Sequence, residues 1–233
     1  EFEPVAFIRR VVIFSLFIEF LGAVGLYFAF SRSGVESPLW PAIFHSISSF
    51  CTAGFSVFPN SLESYRADGW VNLIISVLSI LGATGFIVMS DFWLSLRRRK
   101  HSLTLTSKII LIATAGGILT GTLLLFFDAS FAALPFVDRL MASFFQSMSA
   151  LTTVGFNSHP IGTISHASVM VLLVLMILGA SPSGTGGGLK STTWSAGISS
   201  AWSVMQGRKE VTFLGRAVPA HRIQAAFAAF TLY

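Results

Sequence analysis

The feature that most constrains this chain is a series of apolar runs that are long enough to cross a lipid bilayer. Three runs occupy residues 5–30, 70–96 and 106–127, and a fourth begins at residue 165. About 20 helical residues cross the hydrocarbon core of a bilayer. Charged residues make up 11% of the sequence, whereas soluble domains carry about 25%. The sequence therefore predicts an all-α integral membrane protein in contact with the lipid bilayer.

Two shorter apolar runs interrupt this series, at residues 41–51 and 135–151. Each is too short for an ordinary crossing, so we expect a helix that enters the membrane and a chain that returns to the same side. A turn that contains a glycine follows each run, at residues 52–56 and 152–157. Non-helical backbone at membrane depth is tolerated only where protein buries it or water lines it. Both turns are therefore expected to line a water-filled path.

The chemistry of these turns fits the passage of a cation. Backbone carbonyl oxygens can replace the hydration shell of an ion, and glycine supplies the backbone angles that align them. The preceding short helices direct the negative ends of their dipoles at the turns, and no turn side chain carries a charge. The alternative is a pair of structural turns between packed helices. The candidate ion-binding residues are Thr52, Ala53, Gly54, Phe55, Thr153, Val154, Gly155 and Phe156.

The fourth long run is interrupted. Residues 169–180 are strongly apolar, and residues 189–205 resume a helical pattern. Four glycines and a proline between them exclude a continuous helix. Lys190 follows the interruption and either steadies it or meets the field of a permeating ion from below. The interrupting segment consists of Ser181, Pro182, Ser183, Gly184, Thr185, Gly186, Gly187 and Gly188.

The chain contains an internal repeat. Residues 44–56 align with residues 145–157, sharing Phe, two Ser, Thr, Gly and Phe, and residues 80–83 align with 177–180. The repeated unit is a span, a short helix, a turn and a second span. We expect one unit in residues 1–100, a second in 101–222, and the start of a third in 223–233. Parallel repeats in one membrane chain suggest pseudosymmetry about an axis along the membrane normal, with the turns meeting on it.

The placement of basic residues supports this path. Basic residues concentrate in loops on the cytoplasmic side of a membrane. If both short helices re-enter from outside, the outer basic residues are Arg32, Arg66 and Arg139, offset by Glu36, Glu63, Asp68, Asp128 and Asp138. The inner basic residues are then Arg9, Arg10, Arg97, Arg98, Arg99, Lys100, Lys108, Arg208, Lys209, Arg216 and Arg222. The basic run at residues 97–100 is thus a topology anchor rather than a nucleic-acid patch.

Three other functions are weighed against a pore. A secondary transporter also uses broken helices at its midplane site, although it does not need two matched short-helix turns. A P-loop ATPase is disfavoured because Leu189 separates the glycines from Lys190. A structural scaffold would predict no flux. The histidines stand at no metal-ligand spacing and no nucleophile–base arrangement is evident, so we expect neither an enzyme nor a cofactor in this chain. His45, on the first short helix, is interpreted as a packing residue.

Glu19 is placed near the middle of the first apolar run. An ionised group there is costly unless it faces protein or water. We expect a carboxyl group bonded to a neighbouring helix, and a direct role in transport is the alternative.

The turns resemble the pore loops of the Trk/Ktr/HKT potassium transporters, and residues 183–192 resemble the interrupted third M2 helix of that family, most closely in Ktr-type members. The resemblance implies four M1–pore helix–filter loop–M2 units in pseudo-four-fold arrangement around a pore, of which this chain carries the second and third. It assigns Gly54 and Gly155 as filter glycines that favour potassium over sodium. It assigns residues 181–188 as a gating loop inside the membrane.

The same resemblance implies partners and a location. It predicts a homodimer that sits on a cytosolic ring of nucleotide-binding regulatory subunits, in the plasma or inner membrane. The sequence starts without Met and stops inside a new apolar run. We therefore expect it to be a piece of a longer protein.

Overall fold

The fold is a set of apolar helices joined by short irregular segments. The computed structural model describes residues 3–97, 102–208, 210–213 and 216–232. Basic residues Arg98, Arg99, Lys100 and Lys209, which entered the topology prediction, lie outside these residues. The helices are α1 (Pro4–Arg32), α2 (Leu39–Phe50), α3 (Gly69–Thr84), α4 (Phe86–Arg97), α5 (Leu105–Phe126), α6 (Ala129–Ala132), α7 (Phe136–Thr152), α8 (His166–Leu178), α9 (Ser191–Met205) and α10 (Ala220–Leu232).

Two helices have the length and composition of full membrane crossings. Helix α1 has 29 residues and α5 has 22, and both satisfy a hydropathy test for a membrane span. They confirm the crossings predicted at residues 5–30 and 106–127. Side chains such as Phe20 and Leu119 are 64% and 68% exposed, as expected of a lipid-facing surface.

The two shorter helices end within one residue of the predicted ends, Cys51 and Leu151. Helix α2 has 12 residues and α7 has 17, so they reach about 18 and 26 Å, short of the bilayer core. Helix α2 is followed by irregular backbone from Cys51, and α7 by irregular backbone from Thr153. The predicted short-helix–turn arrangement is confirmed at both places.

The crossing predicted as one helix at residues 70–96 is broken. Helices α3 and α4 are bent by 100° at Gly85, so the prediction of a continuous helix was wrong. Gly85 has φ 84°, and a Cβ atom there would clash with the carbonyl oxygen of Ser183. Because a distant segment of the chain packs against this backbone, only glycine fits. Gly82 and Gly85 were the local signal of the break, but the run is long and apolar enough for one crossing, and the sequence does not show the contact with Ser183.

The second interruption is longer than predicted. Helix α8 ends at Leu178 and α9 begins at Ser191, so the non-helical segment covers residues 179–190 rather than 181–188. The amide of Ala180 donates to the carbonyl of Gly187 at 3.0 Å, and that of Leu189 donates to Ile177 at 2.8 Å. The segment folds back on the end of α8. Because these bonds take the place of helical ones, two further residues on each side of the predicted segment are not helical.

Smaller differences occur in the loops. The predicted loop at residues 128–134 contains the single-turn helix α6. The predicted polar segment at 207–222 contains a two-residue antiparallel ladder of β1 (Thr212–Phe213) and β2 (Arg216–Ala217). Helix α10 begins three residues before the predicted start at residue 223. None of these changes the helical character of the chain.

The helices form two similarly packed groups. Helix α1 packs on α2 and α3, whereas α5 packs on α7 and α8. The Ser46 hydroxyl donates to the carbonyl of Glu19 on α1 at 2.6 Å, and the Ser147 hydroxyl donates to that of Ile118 on α5 at 2.9 Å. Contacts between α3 and α7 join the two groups around a common core. This packing brings the ends of α2 and α7 together.

Candidate functional site

The two turns adopt the same unusual backbone. Thr52 and Gly54 have φ 51° and 69°, and their counterparts Thr153 and Gly155 have φ 58° and 89°. A left-handed β-branched residue is strained and persists only where surrounding structure holds it. The occurrence of this strain at both aligned threonines shows that the sequence repeat is also a repeat of local geometry.

The same hydrogen bonds hold each turn on its helix. The amide of Ala53 donates to Ser48 O at 2.8 Å, and that of Val154 donates to Ser149 O at 3.1 Å. The hydroxyl of Ser48 donates to Phe55 O at 2.8 Å, and that of Ser149 donates to Phe156 O at 2.7 Å. These serines are functional candidates that the sequence reasoning missed, although their coincidence in the repeat was the available signal.

These bonds leave a set of carbonyl oxygens available to a ligand. Within the described part of the chain, no hydrogen bond reaches the oxygens of the three central residues of either turn. They lie at C-terminal helix ends, where the backbone dipoles favour a cation. These carbonyls belong to Thr52, Ala53, Gly54, Thr153, Val154 and Gly155.

The structure brings the two turns into direct contact. A Cβ atom on Gly54 would clash with the carbonyl oxygen of Val154 and would lie 3.2 Å from the Cα of Gly155. Downstream, the amide of Leu62 donates to Asn157 O at 2.9 Å, and the amide of Asn157 donates to the Ser61 hydroxyl at 3.1 Å. Glycine at position 54 is therefore required by the close approach as well as by φ.

The aligned phenylalanines have different surroundings. Phe156 is 1% exposed, and its ring centroid lies 5.9 Å from that of His45 on the other short helix. Phe55 is 71% exposed. The two Phe residues are thus equivalent in sequence and in backbone contacts but not in burial.

A polar side chain braces each turn from behind. His45 is fully buried, with Nδ1 2.7 Å from Pro41 O and Nε2 2.9 Å from the Ser56 hydroxyl. Because Nδ1 faces a carbonyl oxygen, Nδ1 carries the ring proton, and Nε2 accepts a hydrogen bond from the Ser56 hydroxyl. Its counterpart Gln146 accepts from the amide of Ser158 at 3.2 Å. The interpretation of His45 as a packing residue is confirmed, and it also binds the end of the turn.

The interrupting segment contacts both turns. The Thr185 hydroxyl donates to Phe50 O at 3.1 Å and lies 3.1 Å from the Thr52 hydroxyl. The amide of Gly187 donates to the Thr153 hydroxyl at 2.6 Å. Gly187 is 34 residues from Thr153 along the chain, and Thr185 is 133 residues from Thr52, so only the fold brings them together.

The same segment is anchored to the end of α3. The amides of Thr185 and Ser181 donate to Gly82 O and Ala83 O at 3.0 and 3.2 Å. The Ser183 hydroxyl donates to Thr84 O at 3.0 Å. Residues 181–185 therefore cap the C-terminal carbonyls that α3 leaves free where it breaks.

Lys190 bonds to the segment itself. Its ammonium group donates to Gly186 O at 2.6 Å, and its own backbone has φ 72°. Of the two roles left open for this residue, this contact corresponds to steadying the segment.

A family model described as TrkH, a cation transport protein, matches residues 5–233. The chain belongs to the TrkH family of cation transport proteins. The resemblance drawn from the turns and the Gly-rich segment is thereby confirmed.

Individual TrkH-family relatives are similar over nearly the whole chain. The Ktr system potassium uptake protein B of Vibrio alginolyticus is 34% identical over 217 residues, which is 91% of this chain and 48% of the relative. The potassium/sodium uptake protein NtpJ of Enterococcus hirae is 34% identical over 226 residues, 94% of this chain and 49% of the relative. The chain thus spans about half the length of the curated relatives it matches.

A solved structure has the same fold. The potassium transporter TrkH from Vibrio parahaemolyticus superimposes with a TM-score of 0.74 at 21% identity, covering 99% of this chain and 49% of that one. The predicted all-α membrane architecture is confirmed by this match.

Glu19 lies beside the first turn in this TrkH-family chain. Its Oε1 accepts from the Cys51 thiol at 3.8 Å, at the C-terminal end of α2. The expected carboxyl group bonded to a neighbouring helix is confirmed.

Two loops hold groups with lowered pKa values: Asp128 follows α5, and His159 lies between the second turn and α8. Asp128 accepts from the Ser165 hydroxyl at 2.6 Å and the Ser130 amide at 2.8 Å, and hydrogen bonds from Ser130 and Ser165 lower its pKa to about 2. Burial, followed by the charge of Arg66, lowers the pKa of His159. These groups fix the loops around the second turn rather than the turn itself.

Proposed function

We propose that this chain is part of a pore-forming subunit that passes potassium through a filter of backbone carbonyls. The observation that carries the proposal is the pair of turns. They share their dihedral angles, the hydrogen bonds from Ser48 and Ser149, and a set of carbonyl oxygens without a hydrogen-bond donor. Carbonyl oxygens without a hydrogen-bond donor are the ligands that a dehydrated alkali cation requires. The proposed ligands are the carbonyls of Thr52 to Gly54 and Thr153 to Gly155. Phe55 and Phe156, which the sequence also assigned to the filter, follow them with carbonyls that accept from Ser48 and Ser149.

The filter is assembled from four such units. Residues 1–100 and 101–222 supply two, and residues 223–233 begin a third, consistent with a chain half as long as its relatives. The exposed Phe55 supports this division, because its counterpart Phe156 is buried against the preceding short helix. A preceding unit would bury Phe55 in the same way.

Residues 181–188 act as the gate inside the membrane. They contact the C-terminal ends of both short helices, which any ion leaving the turns must pass. Lys190 holds the gate closed through Gly186. Opening requires displacement of the segment from the turns and from α3.

The transported ion is potassium, in line with the names of the Ktr relatives, and sodium is the competing ion, as the name of the NtpJ relative suggests.

A secondary transporter with a midplane site is the second candidate. It is favoured by the two broken helices, α3–α4 and α8–α9, which face each other through the residues 181–185. Dependence of uptake on a sodium or proton gradient would select this second mechanism.

The basic loops face the cytoplasm, and the turns open to the outside of the plasma or inner membrane. The subunit forms a homodimer on a cytosolic ring of nucleotide-binding subunits. The orientation is inferred from the charge distribution, and the homodimer and the ring are inferred from the family resemblance.

The test is potassium uptake by the complete protein in uptake-deficient bacteria, compared with Gly155→Ser. A Cβ atom at Gly155 meets nothing within 4 Å, so the substitution perturbs the backbone at φ 89° without a clash. We expect a lower potassium-to-sodium preference. Gly34→Ser is the matched control, because Gly34 also has a left-handed φ, of 75°, and free space but lies outside the turns. Unchanged flux and ion preference in Gly155→Ser would refute the filter assignment.

A further inference from the structure

Threonine hydroxyl groups form the junction between the gate and both turns. The Thr153 hydroxyl donates to Thr152 O at 2.7 Å and accepts from the Gly187 amide at 2.6 Å. The Thr52 hydroxyl has one proton, which serves either Cys51 O at 2.7 Å or the Thr185 hydroxyl at 3.1 Å. Two residues of the gate therefore reach the turns, Thr185 the first and Gly187 the second.

The direction of these bonds is informative. A hydroxyl oxygen that has given its proton to a carbonyl presents only lone pairs. The Thr153 oxygen is in this state, and the positive end of the Gly187 N–H dipole points at it. A cation would approach the same oxygen with the same sign of charge, so the amide and the cation repel each other.

We propose that the gate and the permeating cation compete for the Thr153 hydroxyl oxygen, and that Thr185 is a positioning residue that holds the gate at the turns. Docking of the gate then excludes an ion from this oxygen, and an ion bound there expels Gly187. Potassium itself is a ligand that opens the gate. This inference rests on the proposed potassium filter and adds a site and two residue roles to it.

Thr185 contributes without being an ion ligand. Its hydroxyl and amide tie it to Phe50 O and Gly82 O, at the ends of α2 and α3. Loss of the hydroxyl weakens docking of the gate but leaves the Thr153 oxygen unchanged. Loss of the Thr153 hydroxyl removes the shared oxygen itself. The two threonines are thus separable by experiment.

The test measures flux through the complete protein in liposomes as a function of potassium concentration. In the wild type, flux should rise more steeply than in proportion to concentration, because potassium both opens the gate and permeates. Thr185→Val should raise flux at low potassium about fivefold, the effect of one neutral hydrogen bond on a two-state equilibrium. Thr185→Ser should restore the wild-type curve.

Thr153→Val keeps the β-branched shape and the backbone strain but removes the oxygen, so the steep dependence on potassium should disappear. Thr153→Ser should retain it. Thr122→Val is the matched control, because that buried hydroxyl donates within α5 to Ile118 O at 2.7 Å. If Thr153→Val does not fold, as judged by gel filtration, Thr185→Val with its serine rescue decides.

The outcomes separate this inference from the function on which it rests. A folded Thr153→Val variant that keeps the steep dependence on potassium would overturn the competition and leave the filter intact. An unchanged concentration curve in Thr185→Val would overturn the positioning role of Thr185. A valine effect that serine does not rescue would also overturn it, because a hydroxyl role is then excluded. No potassium flux in the wild type would overturn the proposed function and this inference together.

Discussion

Substitution of the two turn glycines by alanine should have unequal effects, although the glycines are equivalent in the repeat. Gly54 and Gly155 both have left-handed φ values, of 69° and 89°. An alanine in this region costs about 1–2 kcal/mol of backbone strain. A Cβ atom at Gly155 has no neighbour within 4 Å, so Gly155→Ala bears this cost alone.

Gly54→Ala bears a second cost. Its Cβ atom would clash with the carbonyl oxygen of Val154, which is backbone and cannot rotate away. Overpacking adds about 1–3 kcal/mol even where side chains can give way. We therefore expect Gly54→Ala to be less stable than Gly155→Ala by about 2 kcal/mol, from the midpoint of that overpacking range. It should also abolish uptake, because the displaced oxygen is a proposed ion ligand.

The assay is thermal unfolding of the complete protein in detergent, followed by fluorescence-detected gel filtration. A difference of about 2 kcal/mol corresponds to a shift on the order of 2–4 °C between the variants in a protein larger than this chain. Equal midpoints for the two variants would refute the close approach of the turns. A larger drop in the unfolding midpoint for Gly155→Ala than for Gly54→Ala would contradict the finding that only Gly54 lacks space for a Cβ atom.

Two further predictions follow from charged groups. Lys190→Met should increase potassium leak from liposomes by about tenfold or more, because a hydrogen bond to a charged group contributes about 1.5–3 kcal/mol. Lys108→Met on α5 is the control, and equal leak in both variants would contradict a specific bond to Gly186. The pKa of Asp128 falls from 3.8 to about 2, so the stability it contributes is present above about pH 4 and is lost as the pH falls toward 2. After a discount for solvent screening we expect about 1 kcal/mol, seen as a drop in the unfolding midpoint between pH 5 and pH 2 that Asp128→Asn lacks; a drop of the same size in the variant would assign it to other carboxyl groups.

The local pattern of residues was sufficient to predict most helices and both turns. Long apolar runs predicted α1 and α5, and runs too short to cross predicted α2 and α7. These features are local, because burial in lipid forces the backbone bonds of each crossing to be made within one segment. The repeated Ser, Thr and Gly positions predicted where the two turns lie.

The tertiary structure alone decided how these elements meet. The break at Gly85 arises because Ser183 packs against it from a segment about a hundred residues away along the chain. The non-helical segment between α8 and α9 is longer than the Gly-rich run because the amides of Ala180 and Leu189 exchange helical bonds for tertiary ones. Thr185 and Gly187 reach Thr52 and Thr153 in a structure where α3 and α7 pack together. A single sequence carries periodicity and composition, whereas contacts between distant residues depend on packing of the whole chain.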